Sequence, residues 1–151
     1  MRVPHNLTAK RREPADNLHH RFRLRIVDAP TKTTGRNCIV LVVDDNQDAA
    51  DSLAMVLRQS GHRVDVAYNG LCALARFRST QPDVVLCDLG LPELSGYDFA
   101  KAVRRETARP IRLVAISGYA QADDIRRSRE AGFDAHLAKP AQPADIQNLF
   151  V

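Results

Sequence analysis

The chain has 151 residues, of which 44% are hydrophobic and 26% charged, and its formal net charge is +4. That length suits one domain with a short appendage, and the composition is that of a globular protein, which excludes collagen-like, coiled-coil and disordered chains. No apolar run approaches the ~18 residues of a membrane span, and the first residues lack the apolar core of a secretory signal. We therefore expect a cytoplasmic protein without membrane contact.

The positive charge is concentrated at the N-terminus. Residues 1–36 hold nine of the 22 Lys and Arg residues but only three of the 18 acidic residues. Within them, residues 22–26 alternate apolar side chains with arginine, which suggests a short strand, and residues 30–37 (PTKTTGRN) are typical of a linker. We predict a basic tail or linker over 1–36 and a globular domain over 37–151.

The three cysteines, Cys38, Cys72 and Cys87, are odd in number, lack CxxC spacing and have apolar neighbours. A disulfide framework or a zinc site would need paired or clustered cysteines. The pattern instead predicts three buried thiols.

From residue 38 onward, short apolar runs alternate with segments of helical spacing. The first and third runs, residues 38–43 and 84–87, are continuously apolar, as in strands buried on both faces. Strands are predicted over 38–43, 63–67, 84–87, 111–116 and 135–138, and helices over 47–60, 70–79, up to about 105, 121–131 and from 145 onward. This βα alternation predicts a parallel sheet covered by helices on both faces.

Polar residues follow four of the five predicted strands. They are Asp44 and Asp45 after the first strand, Asp88 after the third, Ser117 after the fourth and Lys139 after the fifth. The carboxyl ends of parallel strands form the functional crevice of such a sheet. Three carboxylates meeting there would repel one another unless a cation such as Mg²⁺ joined them. Together with a hydroxyl and an ammonium group they suit a phosphoryl group, for which Asp can act as the nucleophile.

Four segments carrying these residues resemble the receiver domain of two-component response regulators. They are IVLVVDDN (39–46), DVVLCDLGLPELSGYD (83–98), LVAISGYA (113–120) and AHLAKP (135–140). Each alone is weak evidence, whereas four in order, each at a strand end, form a specific pattern. The resemblance implies a flavodoxin-like (βα)5 fold with strand order 2-1-3-4-5 and a cis bond before Pro140.

The resemblance also implies a role for each residue at the strand ends. Asp88 would be the phosphoacceptor, and Mg²⁺ would be held by Asp44, Asp45, Asp88 and the backbone carbonyl of Gly90. Ser117 would hydrogen-bond the phosphoryl oxygen, and Lys139 would neutralise its charge. Three residues before that lysine, the family often has Tyr or Phe as part of a switch with the hydroxyl residue. Here His136 takes that position, a departure from the family pattern.

The implied partner is a histidine kinase or a histidine phosphotransfer protein. If the apolar residues of the first helix face the sheet, Ala49, Ser52 and Met55 lie on its outer side, where the partner would dock. The segment 117–140 looks especially like receivers of hybrid histidine kinases, and no output domain is expected after residue 151. A hybrid-kinase fragment and a stand-alone receiver both remain open.

Two other functions share features with this sequence. Aspartate-nucleophile phosphatases resemble one another in carrying DxD after the first strand, but here Asp88 is followed by Leu89 and Gly90, so the acid two residues further on is missing. A nucleic-acid-binding protein would depend on the basic tail alone, which lacks a helix-turn-helix or zinc pattern. Structural explanations also exist for single residues: Asp44 or Asp45 could cap a helix, and Lys139 could be a surface lysine.

Overall fold

A computed structural model describes residues 36–118 and 120–150. Five strands and five helices alternate along them. The strands are β1 (Ile39–Val43), β2 (Arg63–Ala67), β3 (Val84–Asp88), β4 (Arg112–Ser117) and β5 (Ala135–Ala138). The helices are α1 (Gln47–Gln59), α2 (Gly70–Thr80), α3 (Gly96–Glu106), α4 (Ala122–Ala131) and α5 (Pro143–Asn148). The strand predicted over 22–26 lies outside the described residues.

The strands form one parallel sheet in the order β2-β1-β3-β4-β5. This confirms the predicted flavodoxin-like (βα)5 architecture and its strand order. At the centre of the sheet, Val40 of β1 pairs with Val64 of β2 on one side and Val84 of β3 on the other. The strand order reverses between β1 and β3, so a crevice opens there at the carboxyl edge of the sheet.

Both faces of the sheet are covered by apolar side chains. One face packs against α2, α3 and α4, with Phe77 and Phe99 as its largest helical contributors. The other packs against α1 and α5 through Leu57 and Ile146. Burial on both faces explains why the central strands are continuously apolar rather than alternating.

Three helices begin at side chains whose residue types favour the capping position. Asn46, Asn69 and Ser95 each accept a hydrogen bond from a backbone N–H three residues further on. The cap of α1 is therefore Asn46, not Asp44 or Asp45. Instead, Asp44 Oδ1 accepts the backbone N–H of Asn46 at 3.0 Å.

The element boundaries differ from the predictions by one or two residues. Helix α5 begins at Pro143 rather than Asp145, because a proline fits the first helical turn, where no N–H partner is needed. Strand β4 begins at Arg112, whose buried guanidinium donates from Nη1 to the Leu149 carbonyl at 2.6 Å. The peptide bond between Lys139 and Pro140 is cis. No helix among these described residues is long and apolar enough to cross a membrane.

The prediction of three buried thiols is wrong for Cys72. Cys38 and Cys87 are buried, but Cys72 is exposed on α2. The buried face of that helix is formed by Gly70, Ala73 and Phe77. Cys72 lies off this face, so its apolar neighbours in the sequence do not cover it.

Candidate functional site

The carboxyl edge of the sheet brings together the polar residues that follow four of its strands. Asp44 and Asp45 follow β1, Asp88 ends β3, Ser117 ends β4 and Lys139 follows β5. Backbone pairing fixes these ends: the N–H of Asp44 donates to the Ala67 carbonyl, and that of Lys139 to the Ser117 carbonyl. The strand order places β1 and β3 next to each other, so their acids meet at the crevice.

Three carboxylates form a cluster in this crevice. An oxygen from each of Asp44, Asp45 and Asp88 lies within 4.8 Å of the others. Asp44 and Asp88 are buried, at 8% and 9% exposure, whereas Asp45 is exposed. The arrangement holds three negative charges close together with one side open to solvent.

Lys139 partly balances this charge. Its Nζ donates to Asp44 Oδ2 at 3.1 Å and to Asp88 Oδ2 at 3.0 Å. Burial lowers the pKa of Lys139, but the hydrogen bonds and charges of Asp88 and Asp44 outweigh it, so the pKa is raised above its ordinary value. The lysine is therefore paired with two carboxylates of the cluster, although its side chain stays 34% exposed.

The Asp88 carboxylate is oriented through both of its oxygens. Oδ1 accepts the backbone N–H of Gly90 at 3.1 Å, and Oδ2 accepts from Lys139. Behind it, the first residue of α3 lies against the strand: a Cβ on Gly96 would be 2.4 Å from the Asp88 carbonyl oxygen. Asp88 is thus held between its own loop, a lysine and a helix start.

The donor set fits a hard divalent cation. Three carboxylates supply oxygen ligands, and Lys139 leaves a net negative charge at the cluster. Mg²⁺ is bound by one or two carboxylates while keeping several waters, which an open cluster allows.

On the other side of Asp88, Ser117 contacts His136. Ser117 Oγ lies 2.7 Å from His136 Nε2, and the second ring nitrogen, Nδ1, lies 3.1 Å from Ser128 Oγ of α4. All three side chains are buried. Ser128 was not singled out from the sequence, because one serine in a polar helix has no pattern that distinguishes it.

A cavity of about 390 Å³ opens beside Asp88 and Ser117. Its wall includes Tyr97 of α3 and Arg127 of α4, whose guanidinium carbon lies 4.7 Å from the Tyr97 ring centroid. Lys139 lines the same cavity. Two cations and a further acid, Asp124, therefore line the space next to the Asp88 carboxylate. Of the two cations, only Lys139 was expected from the sequence.

A second, larger groove of about 590 Å³ runs between α1 and α5 and ends at Asp44 and Lys139. Of the three predicted docking residues, Ala49 and Ser52 line it, whereas Met55 does not line it, although it is 60% exposed. The groove's apolar wall comes from residues that were not predicted to line it. These are Leu53, Val56, Ile116, Pro140, Ala141, Pro143 and Ile146.

Comparison with known proteins places the chain in a family. The response regulator receiver domain family matches residues 40–150, and the chain belongs to it. The DNA-binding response regulator MtrA of Mycobacterium tuberculosis is 35% identical over 107 residues, 71% of this chain and 46% of MtrA. The sensor histidine kinase AtsR of Burkholderia thailandensis is 36% identical over 119 residues, 75% of this chain and 19% of AtsR.

Solved structures of other receiver domains have the same fold. One is the receiver domain of the Saccharomyces cerevisiae response regulator Ssk1, in co-crystals with the histidine phosphotransfer signaling protein Ypd1. It matches with a TM-score of 0.71 and 25% identity, covering 76% of this chain and 86% of that chain. The chain therefore contains a receiver domain of two-component signalling, and it spans less than half the length of MtrA.

Proposed function

We propose that this chain accepts a phosphoryl group on Asp88 as a step of a two-component phosphorelay. The observation that carries the proposal is the Asp88 carboxylate itself. It lies at the open edge of the sheet, within 4.8 Å of two further carboxylates and 3.0 Å from the Lys139 ammonium. This combination of nucleophile, acidic cluster and paired lysine supports phosphoryl transfer more directly than a structural role.

In the proposed reaction, an oxygen of Asp88 attacks the phosphorus of a phosphohistidine on the donor. The new O–P bond forms as the P–N bond breaks, and the donor imidazole leaves with that electron pair. The Lys139 charge stabilises the phosphoryl oxygens, and the Ser117 hydroxyl donates a hydrogen bond to one of them. Later attack of water on phosphorus restores the carboxylate and releases inorganic phosphate.

The residues that would hold Mg²⁺ are Asp44, Asp45 and Asp88, with the backbone carbonyl of Gly90. Bound there, Mg²⁺ supplies positive charge that the phosphoryl oxygens need and that one lysine only partly provides. The three clustered carboxylates support this assignment.

Intact-mass measurement with acetyl phosphate and Mg²⁺ tests the phosphoacceptor. The parent protein should gain one phosphoryl group, and Asp88→Asn should gain none. Asp123→Asn, which makes the same change at an exposed acid in the first turn of α4, is the matched control and should be labelled like the parent. Full labelling of Asp88→Asn would overturn the assignment.

The groove between α1 and α5 is the proposed docking surface for the phosphohistidine partner. It leads to Asp44 and Lys139, and its wall is mostly apolar, which suits a helix of a kinase or phosphotransfer protein. The Ypd1–Ssk1 co-crystal is a precedent for a receiver bound to such a protein. Ala49→Arg should block transfer from a phosphohistidine protein but leave acetyl phosphate labelling unchanged.

Met55 supplies the matched control for this surface. Met55→Arg places the same charge on the same helix but outside the groove. Transfer should survive this substitution if the groove alone is contacted. Equal loss of labelling with both phosphodonors in Ala49→Arg would indicate damage to the phosphorylation site rather than to docking.

We also propose the kind of protein to which this receiver belongs, its location and its partners. The match to AtsR, a sensor histidine kinase, supports a receiver of the kind joined to a kinase. We place its action in the cytoplasm, with Mg²⁺ as cofactor and a histidine kinase or phosphotransfer protein as partner.

A further inference from the structure

A series of three buried, hydrogen-bonded side chains leads from Ser117 to helix α4. Ser117, His136 and Ser128 are 7%, 4% and 2% exposed. Ser117 Oγ lies 2.7 Å from His136 Nε2, and Ser128 Oγ lies 3.1 Å from His136 Nδ1. Both ring nitrogens of the histidine are therefore engaged by hydroxyl groups.

The position of each proton in this hydrogen-bonded series can be assigned by starting from Ser128. Ser128 Oγ lies 2.8 Å from the Ile125 carbonyl, which can only accept, so the Ser128 hydroxyl proton is used there. Ser128 must then accept from His136 Nδ1, which carries the ring proton. Burial favours an uncharged imidazole, whose other nitrogen has no proton. Nε2 therefore accepts, and Ser117 donates to it.

We propose that Ser128 and His136 are positioning residues that hold the hydroxyl proton of Ser117 away from the phosphoryl site. The inference rests on the proposed function, in which Ser117 donates to a phosphoryl oxygen. Ser117 has one hydroxyl proton and cannot donate it to His136 and to a phosphoryl group together. Phosphorylation of Asp88 must therefore break the Ser117–His136 hydrogen bond. Ser128 keeps the ring proton of His136 on Nδ1, and this tautomer lets Nε2 accept from Ser117 and so restrain its hydroxyl group.

The tautomer can be measured without any phosphorylation. In the full chain with ¹⁵N-labelled histidine, the ring nitrogens of His136 report which of them is protonated, and His136→Phe assigns the signals. We expect Nδ1 protonated and Nε2 unprotonated in the parent at neutral pH. In Ser128→Ala, Nδ1 loses its acceptor and the proton should move to Nε2. An Nε2–H tautomer or a doubly protonated ring in the parent would overturn the proposal.

The rate of labelling by acetyl phosphate provides the second measurement. Ser128→Ala and His136→Phe should each be labelled about two- to tenfold faster, the range given by loss of one net hydrogen bond. Ser79→Ala is the matched control, because Ser79 Oγ also donates to the carbonyl three residues earlier but lies exposed on α2. Ser128→Thr keeps the hydroxyl and should restore the parent rate and tautomer.

The outcomes separate this inference from the proposed function. Absence of a phosphoryl group on Asp88 in every variant would contradict the proposed function but leave the tautomer measurement valid. Labelling of Asp88 at the parent rate in both folded variants would contradict the positioning role alone. If Ser128→Ala fails to unfold cooperatively, His136→Phe still tests the restraint.

Discussion

Asp45→Asn should stabilise the metal-free protein and remove its response to Mg²⁺. The Asp45 carboxylate lies within 4.8 Å of those of Asp44 and Asp88, whereas the Lys139 ion pairs are with those two acids. The substitution therefore removes two repulsions without removing the lysine contacts. The amide keeps nearly the same shape but is a poorer ligand for a hard cation.

The expected change in stability follows from the distance between the carboxylates. Two unit charges about 4.8 Å apart repel by about 0.9 kcal/mol in water, which suits an exposed group such as Asp45. Two such pairs give about 1–2 kcal/mol, or a rise of about 4–8 °C in Tm for a domain of this size. Binding of Mg²⁺ at a hundredfold excess over Kd would stabilise the parent by about 2.7 kcal/mol. The order of stability should therefore invert on adding Mg²⁺.

Thermal and urea unfolding, first in EDTA and then with increasing MgCl₂, measure both effects. NaCl at matched ionic strength controls for screening of the charges. Glu130→Gln makes the same charge change at an exposed position in the last turn of α4 and should alter stability by less than about 0.5 kcal/mol. Lower stability of Asp45→Asn in EDTA would refute the repulsion, and an undiminished Mg²⁺ shift would refute its place as a ligand.

Three further outcomes follow from the fold. Cys72 should react with a thiol reagent in the native protein, whereas Cys38 and Cys87 should react only on unfolding, since burial raises the pKa of both. Arg104→Met should cost about 2 kcal/mol in urea unfolding, because its guanidinium bridges two backbone carbonyls and a carboxylate; an unchanged midpoint would contradict this. A fragment of residues 37–151 should unfold cooperatively and still be labelled by acetyl phosphate, and a molten fragment would show that the domain boundary is wrong.

The fold could be predicted from the sequence because its separate signals indicate the same helices and strands. Apolar runs, capping residues such as Asn69 and Ser95, and stop signals such as Gly132 all favour the same elements. Polar residues at successive strand ends converge because parallel strands place those ends at one edge. The contact between Lys139 and Asp88, 51 positions apart in sequence, follows from that geometry alone.

The features that the sequence did not predict are the directions in which certain helix side chains point. Ser128 belongs to a charged helix that looks solvent-facing along its whole length, yet its own side chain points inward to His136. Val56 was absent from the predicted docking set but lines the groove, and Met55 belonged to the set but does not. Ala49, Ser52 and Val56 share one helix face at i, i+3 and i+7 spacing, but which face borders α5 depends on tertiary packing that the spacing does not give.

The contrast between two glycines at the site sets how freely the region can change. Gly96 lies so close to the Asp88 backbone that any side chain there would displace either the helix or the strand. At Gly90 the nearest atom that a Cβ would meet is Asp88 Oδ1, at an ordinary 3.9 Å. Substitutions that reshape the entrance to the carboxylate can therefore accumulate at position 90 while position 96 stays fixed. Variation in the loop after β3 is therefore expected at position 90, beside the Asp88 carboxylate, and not at the start of α3.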